Sequence, residues 1–437
     1  MKFLSFIVII IILASSCAKS PLPKDSDAID KSLYDSIFDI SSKIYYWEHN
    51  LPTKKHFGLD KIQTPEEIIF KLREYSPNKV DKWSFAVKKD TWENLSAGIS
   101  KDFGMGLRYL DNNDLRIAYV FPNSPADQSE LKRGMKILEI NAIKVENIDP
   151  NTIIKILVED DNVELKIEGN NSSRTVILKK TTYTRTSILC SKIFKRESSK
   201  VGYVNIYSFI ETTSAEIDSI FDFFKKANID KLIIDLRYNG GGLLPATEDL
   251  ANRLVCENSV NKVFYQTEYN DRYKYFGFKT FLRKVPGSLC LPEVSVIVSN
   301  NTASASEVFI NSIKPYMKVN LIGTKTAGKL LGMHALDFKN YLMFPIAFKI
   351  YNAIGEHDNF QGTAPDIEVS DDVDSDWNEG EENIKIALNI NGVKSFTKLD
   401  ARPNRRRNNG LLIAGETSIF GAISLEMPQA GMQETVT

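Results

Sequence analysis

A regular alternation of apolar strands and amphipathic helices fills the chain from about residue 185 to residue 395. The runs KLIIDLRYN, VSVIVSN and VNLIGTK have the composition of buried strands, and SAEIDSIFDFFKKAN and ASEVFINSI between them have helical periodicity. Strands that alternate with helices in this way favour a parallel sheet covered by helices. Because ligands of such sheets bind beyond the carboxyl ends of the strands, functional residues are expected there.

Two segments of different character precede this core. Residues 29–95 have a helical pattern, with apolar residues at three- and four-residue spacing in IDKSLYDSIFDISSKIYYW and a helix start at Thr64 and Pro65, and they are expected to form an independent helical domain. Residues 96–182 contain the short strands LRIAYVF, KILEINAIKV, NVELKIEG and RTVILKK. The chain of 437 residues is therefore predicted to be a multidomain α/β protein.

Both ends of the chain are predicted to lie outside the folded domains. Residues 1–16 combine one lysine, a short apolar run and small residues, which is typical of a secretory signal peptide. ASSC, ending at Cys17, resembles a bacterial lipobox, which implies cleavage before Cys17 and a lipid on its thiol; simple secretion is the alternative. Residues 17–28 are predicted to be a polar tether, and residues 396–437 a flexible tail without an assigned function.

Charge and cysteine content narrow the possible functions. The formal net charge of -1 argues against nucleic acid as a partner. The histidines are scattered singly, and no Cys or His spacing indicates a metal site, so neither metal nor cofactor is expected. Besides Cys17, the chain has Cys190, Cys256 and Cys290, which allow at most one disulfide, and the sequence leaves its pairing open.

Three strand ends in the core carry residues suited to chemistry. The loop from Asn239 to Gly242 has glycines that let a substrate oxygen approach backbone N–H groups. Ser304 precedes a helix whose first N–H groups suit an oxyanion, although with Glu307 it also fits a capping box that needs no catalysis. Lys329 follows the next strand and can act as a base if burial lowers its pKa.

In this order, DLRYNGGG, TASASE, GTKTAGK and the later GTAPDIEV resemble the carboxyl-terminal processing (tail-specific) serine proteases. The resemblance covers roughly residues 96–395 and implies a crotonase-like α/β core, a Ser–Lys dyad and no cofactor. Motif alignment makes Ser304 the nucleophile and Lys329 the general base. The N–H groups of Gly241 and Ala305 are the implied oxyanion donors.

One position departs from the family's pattern. Many members carry a glutamine four residues after the lysine, which helps to orient it, and this chain has Met333 there. His334 is either a substitute or a structural histidine. Ser306 is the competing nucleophile, which the alignment makes a packing residue. What orients Lys329 is therefore left open.

Residues 96–182 resemble a PDZ domain of the kind found in bacterial proteases. Phe103, Gly104, Met105 and Gly106 match the carboxylate-binding loop, and SPADQSELKRGMKILEINAIKV matches the helix-turn-strand core. In such a loop successive N–H groups bind a terminal carboxylate while the peptide adds as a strand. A β-domain without a ligand is the alternative.

Together these features predict a serine endopeptidase of the bacterial envelope that cleaves proteins selected by their free C-terminal tails. It would be lipid-anchored to a membrane, periplasmic or surface-facing, with an adaptor or self-association left open. The alternative is a catalytically inactive scaffold or chaperone, whose signature would be loss of the serine or the lysine. A penicillin-recognising enzyme is disfavoured: Ser76 and Lys79 fit S-x-x-K, but Pro77 follows the serine and the expected SDN and KTG motifs are absent from the sequence.

Overall fold

The computed structural model describes residues 31–390 except 112–113, 169–171, 198 and 372, together with the backbone of residues 412–413 and 422–424. The predicted signal peptide, Cys17 and the tether lie outside the described residues. None of the helices in the described part of the chain has the length and apolar character needed to cross a membrane.

The helices are α1 (Lys31–Ile44), α2 (Lys54–Phe57), α3 (Pro65–Arg73), α4 (Lys89–Ser96), α5 (Pro125–Gln128), α6 (Pro150–Glu159), α7 (Thr213–Ala227), α8 (Leu244–Asn252), α9 (Ala305–Ile313) and α10 (Glu382–Asn389). The strands are β1 (Phe85–Lys88), β2 (Ile99–Asp102), β3 (Met105–Asp111), β4 (Asp114–Val120), β5 (Lys136–Ile140), β6 (Ile143–Lys144), β7 (Asn162–Glu168), β8 (Ser173–Lys179), β9 (Thr181–Thr184), β10 (Ile188–Lys195), β11 (Lys200–Ile206), β12 (Lys231–Asp235), β13 (Val263–Tyr269), β14 (Lys279–Phe281), β15 (Glu293–Val298), β16 (Lys318–Gly323), β17 (Leu331–His334), β18 (Leu336–Phe338), β19 (Tyr341–Phe344), β20 (Ile346–Asn352), β21 (Ile367–Glu368), β22 (Leu412–Ile413) and β23 (Ala422–Ser424).

The central sheet has the strand order β10-β11-β12-β15-β16-β21, parallel from β11 onward, with β10 antiparallel at one edge. Because successive side chains point to opposite faces, neighbouring residues of one strand enter different cores. Val296 packs with α7, α8 and α9, whereas Ile297 packs with α10 on the other face. The mixed α/β multidomain class predicted from the sequence is confirmed.

The segment between residues 99 and 184 has a core of its own. Its main sheet has the order β22-β3-β4-β5-β7-β8, with β6 paired to β5, and β2 pairs separately with β9. Leu107, Ile117, Ile137 and Leu165 are fully buried in this core. The predicted short strands are present, and the helix of the predicted helix-turn-strand core is α5, which ends at Gln128.

The N-terminal segment is not the independent helical domain that its periodicity predicted. Its helices α1 and α3 contribute to the same hydrophobic core as the central sheet. It also contains strand β1, which pairs antiparallel with β19 so that Phe85 lies opposite Phe344. The prediction failed because β1, whose residues alternate between buried and exposed, forms a strand only by pairing with a distant part of the chain.

The tail from residue 396 lies mostly outside the described residues, but two short strands of it are described. β22 pairs antiparallel with β3, and β23 pairs parallel with β17. The edge of a sheet presents N–H and C=O groups that another strand can pair with, which explains why a segment without clear periodicity forms strands here.

The structure resolves the cysteine pairing that the sequence left open. Cys256 and Cys290 form a disulfide across 34 residues, and Cys190 is a free thiol.

We expect the double variant Cys256→Ser/Cys290→Ser to lower the free energy of unfolding by about 3–4 kcal/mol, because the bond restricts the unfolded chain. Urea denaturation measures this loss. Cys190→Ser is the control, and an equal loss in the control would contradict the assignment.

Candidate active site

The three chemically suited segments follow three neighbouring strands. β12, β15 and β16 lie side by side and parallel, so their carboxyl ends meet at one edge of the central sheet. Backbone bonds join the loops that follow: Ala303 N–H donates to Asn239 O at 3.1 Å, and Ala327 N–H donates to Thr302 O at 3.0 Å. Segments distant in sequence are thereby held together.

Ser304 has a backbone conformation that an ordinary helix cap does not need. It is fully buried, and its φ of 59° and ψ of -119° differ from the extended conformation usual for an N-cap. The capping box with Glu307 is present, but a non-glycine residue at such angles costs about 1–3 kcal/mol. Backbone strain of this kind clusters at active sites, and a strained strand-to-helix turn is typical of nucleophilic serines.

Glu307 connects the two candidate catalytic residues through their backbones. Its Oε2 accepts from Ser304 N–H at 2.9 Å and from Lys329 N–H at 2.7 Å. Its Oε1 accepts from Gly328 N–H at 2.7 Å and from the Thr326 hydroxyl at 2.6 Å. Burial raises the pKa of this carboxyl, and the hydrogen bonds act in the opposite direction. The sequence predicted only the capping role; S-x-x-E carries no sign of the second loop.

Lys329 is buried, with 2% of its surface exposed. Desolvation lowers its pKa to about 7, while the negative charges of Asp81 and Glu307 act to raise it and Arg73 acts to lower it. A lysine in water is almost wholly protonated at neutral pH, but with this pKa a large fraction of the amine is neutral. Lys329 can therefore accept a proton, as a general base must.

The predicted oxyanion donors lie next to the serine, but one of them is already engaged. A Cβ placed on Gly241, whose φ is 108°, would lie 2.9 Å from Ser304 Cβ and 3.1 Å from Ala305 N. Only glycine allows this close approach. Gly241 N–H, however, donates to Asn239 Oδ1 at 2.8 Å. This N–H would have to exchange partners to bind an oxyanion.

Ser306, His334 and Met333, which were named from the sequence beside the dyad, make structural contacts in the core. Ser306 Oγ donates to Asn239 O at 3.1 Å. His334 lies buried on β17, where its Nε2 is 2.8 Å from the Tyr269 hydroxyl and the two rings stack. Met333 is fully buried in an apolar cluster. These contacts hold the side chains in the core of the protein.

Ser76 and Lys79, the serine and lysine of the S-x-x-K match, lie in a turn of the N-terminal segment. Ser76 Oγ donates to Arg73 O at 2.8 Å and accepts from Asp81 N–H at 2.9 Å. Lys79 is exposed. The serine therefore closes a turn.

The candidate carboxylate-binding loop runs into β3, whose first two residues are Met105 and Gly106. Phe103 and Met105 are buried, and Gly104 has a φ of 78° with no room for a Cβ, which would lie 1.9 Å from Ser124 Cβ. Gly104 N–H donates to Asp102 Oδ1 at 2.7 Å. One N–H that was predicted to bind a peptide carboxylate thus already binds a carboxylate of the protein itself.

Gly106 lies within β3, against the ring of Tyr119.

In the described part of the chain, no group of three or more His, Cys, Asp or Glu side chains is placed to hold a metal ion.

Part of the chain is similar to a known family of peptidases. Residues 200–369 match the model of Peptidase family S41. A Staphylococcus aureus (strain bovine RF122 / ET3-1) protein named "Probable CtpA-like serine protease" is 24% identical over 294 residues, covering 66% of this chain and 57% of that protein. A Staphylococcus epidermidis protein of the same name is 24% identical over 371 residues, covering 84% of this chain and 70% of that protein.

The chain thus spans about 57% of the length of the first of these relatives. A crystal structure from Bacteroides fragilis NCTC 9343, named "Putative S41 protease", has a TM-score of 0.67 and 24% identity, covering 82% of this chain and 97% of the other. It shares the fold. The segment matched by the family model contains both Ser304 and Lys329, so the chain is similar to the peptidases of family S41 and to relatives named "Probable CtpA-like serine protease".

Proposed function

We propose that the protein is a serine endopeptidase of the carboxyl-terminal processing type, with a crotonase-like core. Ser304 is the nucleophile and Lys329 is the general base. One observation carries this proposal: the two residues are buried together, with their backbone N–H groups on the same oxygen of Glu307. The strained turn at Ser304 and the low pKa of Lys329 support the same assignment.

The mechanism follows from the properties of these groups. The neutral amine of Lys329 takes the proton of Ser304 Oγ, which attacks the carbonyl carbon of the peptide bond. The developing oxyanion is stabilised by Ala305 N–H at the start of α9, and by Gly241 N–H once it leaves Asn239. The lysine then protonates the leaving amine, and water, activated by the same lysine, releases the acyl group. These steps need neither a metal nor a cofactor.

The segment 96–182 is proposed to be a PDZ domain that captures the C-terminal tail of a substrate. Support comes from the edge of β3, which begins within the candidate loop at Met105. In the structure this edge accepts a strand: Leu412 lies opposite Arg108 and Ile413 opposite Leu107, antiparallel. A substrate tail that adds to β3 by backbone hydrogen bonds would have to displace β22.

The membrane anchor is proposed on the sequence alone. Cys17 would carry the lipid and hold the protease in the bacterial envelope, either periplasmic or surface-facing. Proteins with free C-termini would be its substrates, and an adaptor or a second copy could assist it.

The proposed function predicts cleavage that depends on a free C-terminus. We expect the wild-type protein to degrade a model protein with a free, apolar C-terminal tail about tenfold faster than the same protein with an amidated tail, because the loop binds the carboxylate. Ser304→Ala should degrade neither substrate but still bind the free tail. Gel-based degradation and fluorescence anisotropy with a labelled tail peptide measure the two activities.

Each outcome of this experiment has a distinct meaning. Equal rates on both substrates would contradict recognition of the carboxylate while leaving the protease intact. If the wild type binds the free tail without cleaving any substrate, the scaffold or chaperone hypothesis replaces the protease hypothesis.

A further inference from the structure

A turn of the N-terminal segment holds a buried carboxylate in a fixed position. Asp81 is 3% exposed and accepts four hydrogen bonds. Its Oδ1 accepts from the N–H groups of Trp83 and Ser84, both at 2.9 Å. Its Oδ2 accepts from the Ser84 hydroxyl at 2.6 Å and from the Tyr45 hydroxyl at 2.8 Å. This arrangement, which we call the Asp81 turn (residues 81–84), leaves the carboxylate little freedom to move.

The Asp81 turn is attached to the protease core. Ile346 N–H, on β20, donates to Ser84 Oγ at 2.9 Å, and Tyr46 N–H donates to Ile346 O at 2.8 Å. Strand β1 follows the turn directly and pairs with β19. The bond to Ser84 and the pairing of β1 therefore fix the distance of the turn from the core strands.

The turn faces the catalytic lysine. Lys329 Nζ lies 5.9 Å from the centroid of the Trp83 ring, a distance at which an aromatic face attracts an ammonium group. Trp83 also packs against the apolar cluster that contains Met333. Met333, which occupies the position of the usual glutamine, thus lies in the cluster that Trp83 packs against.

We propose that the Asp81 turn is the positioning element of Lys329, with Asp81 and Trp83 doing what a glutamine four residues after the lysine does in the resembled proteases. This inference rests on the proposed function. It makes the N-terminal segment part of the catalytic machinery, although the family match begins only at residue 200.

Two charged residues of this segment are expected to shift the pKa of Lys329 in opposite directions. In the described part of the chain, Asp81, Glu307 and Arg73 are the charged groups that act on the Lys329 amine. Asp81 favours the ammonium form, whereas Arg73, whose Nε donates to Asp81 O at 3.4 Å, disfavours it. Removing the negative charge should therefore ease deprotonation of the lysine, and removing the positive charge should hinder it.

The test is the pH profile of kcat/KM on a peptide substrate. For the wild type we expect activity to rise with pH around a midpoint near 7, as Lys329 loses its proton. Asp81→Asn should move this midpoint down by about one pH unit, and Arg73→Gln should move it up by a smaller amount. Asp60→Asn and Lys61→Gln, which remove exposed charges of the same segment, are the matched controls and should leave the midpoint unchanged.

The aromatic face has its own test, which does not depend on the folding of Asp81→Asn. Trp83→Leu should lower kcat about tenfold with little change in KM, and Trp83→Phe should restore most of the activity. Loss of kcat with unchanged KM indicates misplacement of a catalytic group and not weaker substrate binding.

The titration can also be followed without turnover. In the inactive Ser304→Ala protein, the 13Cε resonance of Lys329, assigned by its loss in Lys329→Ala, reports the pH midpoint of the lysine. Adding Asp81→Asn to this protein should move that midpoint down, and adding Arg73→Gln should move it up. Midpoints equal to that of the wild type, or shifts of the same sign in both variants, would overturn the inference. Absence of Ser304-dependent hydrolysis in the wild type would instead overturn the proposed function, and the resonance would still report on the Asp81 turn.

Discussion

Replacement of Ser304 or Lys329 by alanine is expected to lower kcat/KM by about 10⁴-fold or more, with the fold retained. The serine supplies the attacking oxygen and the lysine its proton acceptor, so neither acts without the other. The double variant should therefore be about as inactive as each single variant. Peptide hydrolysis by the purified proteins measures the loss, and circular dichroism checks the fold.

The same lysine should carry a cost in stability that can be measured separately. Its pKa of about 7 in the folded protein lies below the ordinary value of 10.5, so the unfolded chain binds more protons between these two pH values. The contribution of Lys329 to stability therefore rises with pH through this window. Lys329→Met removes the cost, and we expect it to raise the free energy of unfolding at pH 7 by about 4 kcal/mol.

Urea denaturation at pH 7 and at pH 9.5 tests this expectation, since the advantage of Lys329→Met over the wild type should shrink at the higher pH. Substantial hydrolysis by purified Lys329→Ala would contradict the dyad. An unchanged or reduced stability of Lys329→Met at pH 7 would contradict the desolvation of the amine.

Glu307→Gln is expected to impair both activity and stability. The carboxylate accepts two hydrogen bonds on each oxygen, and an amide would turn its NH₂ group toward two of these donors. Leaving buried donors without acceptors should cost about 3 kcal/mol or more in the free energy of unfolding. Because the backbones of Ser304 and Lys329 would shift apart, we expect kcat/KM to fall by about 100-fold or more.

Ser306→Ala is the matched control on the same helix. It removes one hydrogen bond, from Ser306 Oγ to Asn239 O, and should cost about 1 kcal/mol in stability with most of the activity kept. Steady-state kinetics and thermal denaturation of the two variants give the comparison. Wild-type activity in Glu307→Gln would show that the carboxylate does not hold the dyad, and an inactive Ser306→Ala would reopen the choice of nucleophile.

Local patterns were sufficient for much of the fold. The α9 sequence ASEVFINSI and the buried run in β15 have periodicities that depend only on neighbouring residues, and both elements were predicted. The structure of the N-terminal segment was harder to predict, since β1 is short and its strand character depends on β19. Its independence was wrongly predicted for the same reason.

The occupied N–H groups of the two candidate binding loops show another limit of sequence reasoning. Glycine-containing sequence motifs indicated exposed backbone donors, yet Gly241 N–H binds Asn239 and Gly104 N–H binds Asp102. Each acceptor lies only two residues before its glycine. Whether such a side chain turns toward the backbone depends on the packing around the loop, which the spacing alone does not describe.

The sequence alone indicated strands β12, β15 and β16 and helices α7 and α9, and it marked one serine and one lysine as the candidate pair, because these signals are contained in short stretches. Only the tertiary structure decided which cysteines pair, how Glu307 joins two loops and which side chains surround the lysine. These features depend on groups from distant parts of the chain, and the desolvation and charge that govern an amine act through space.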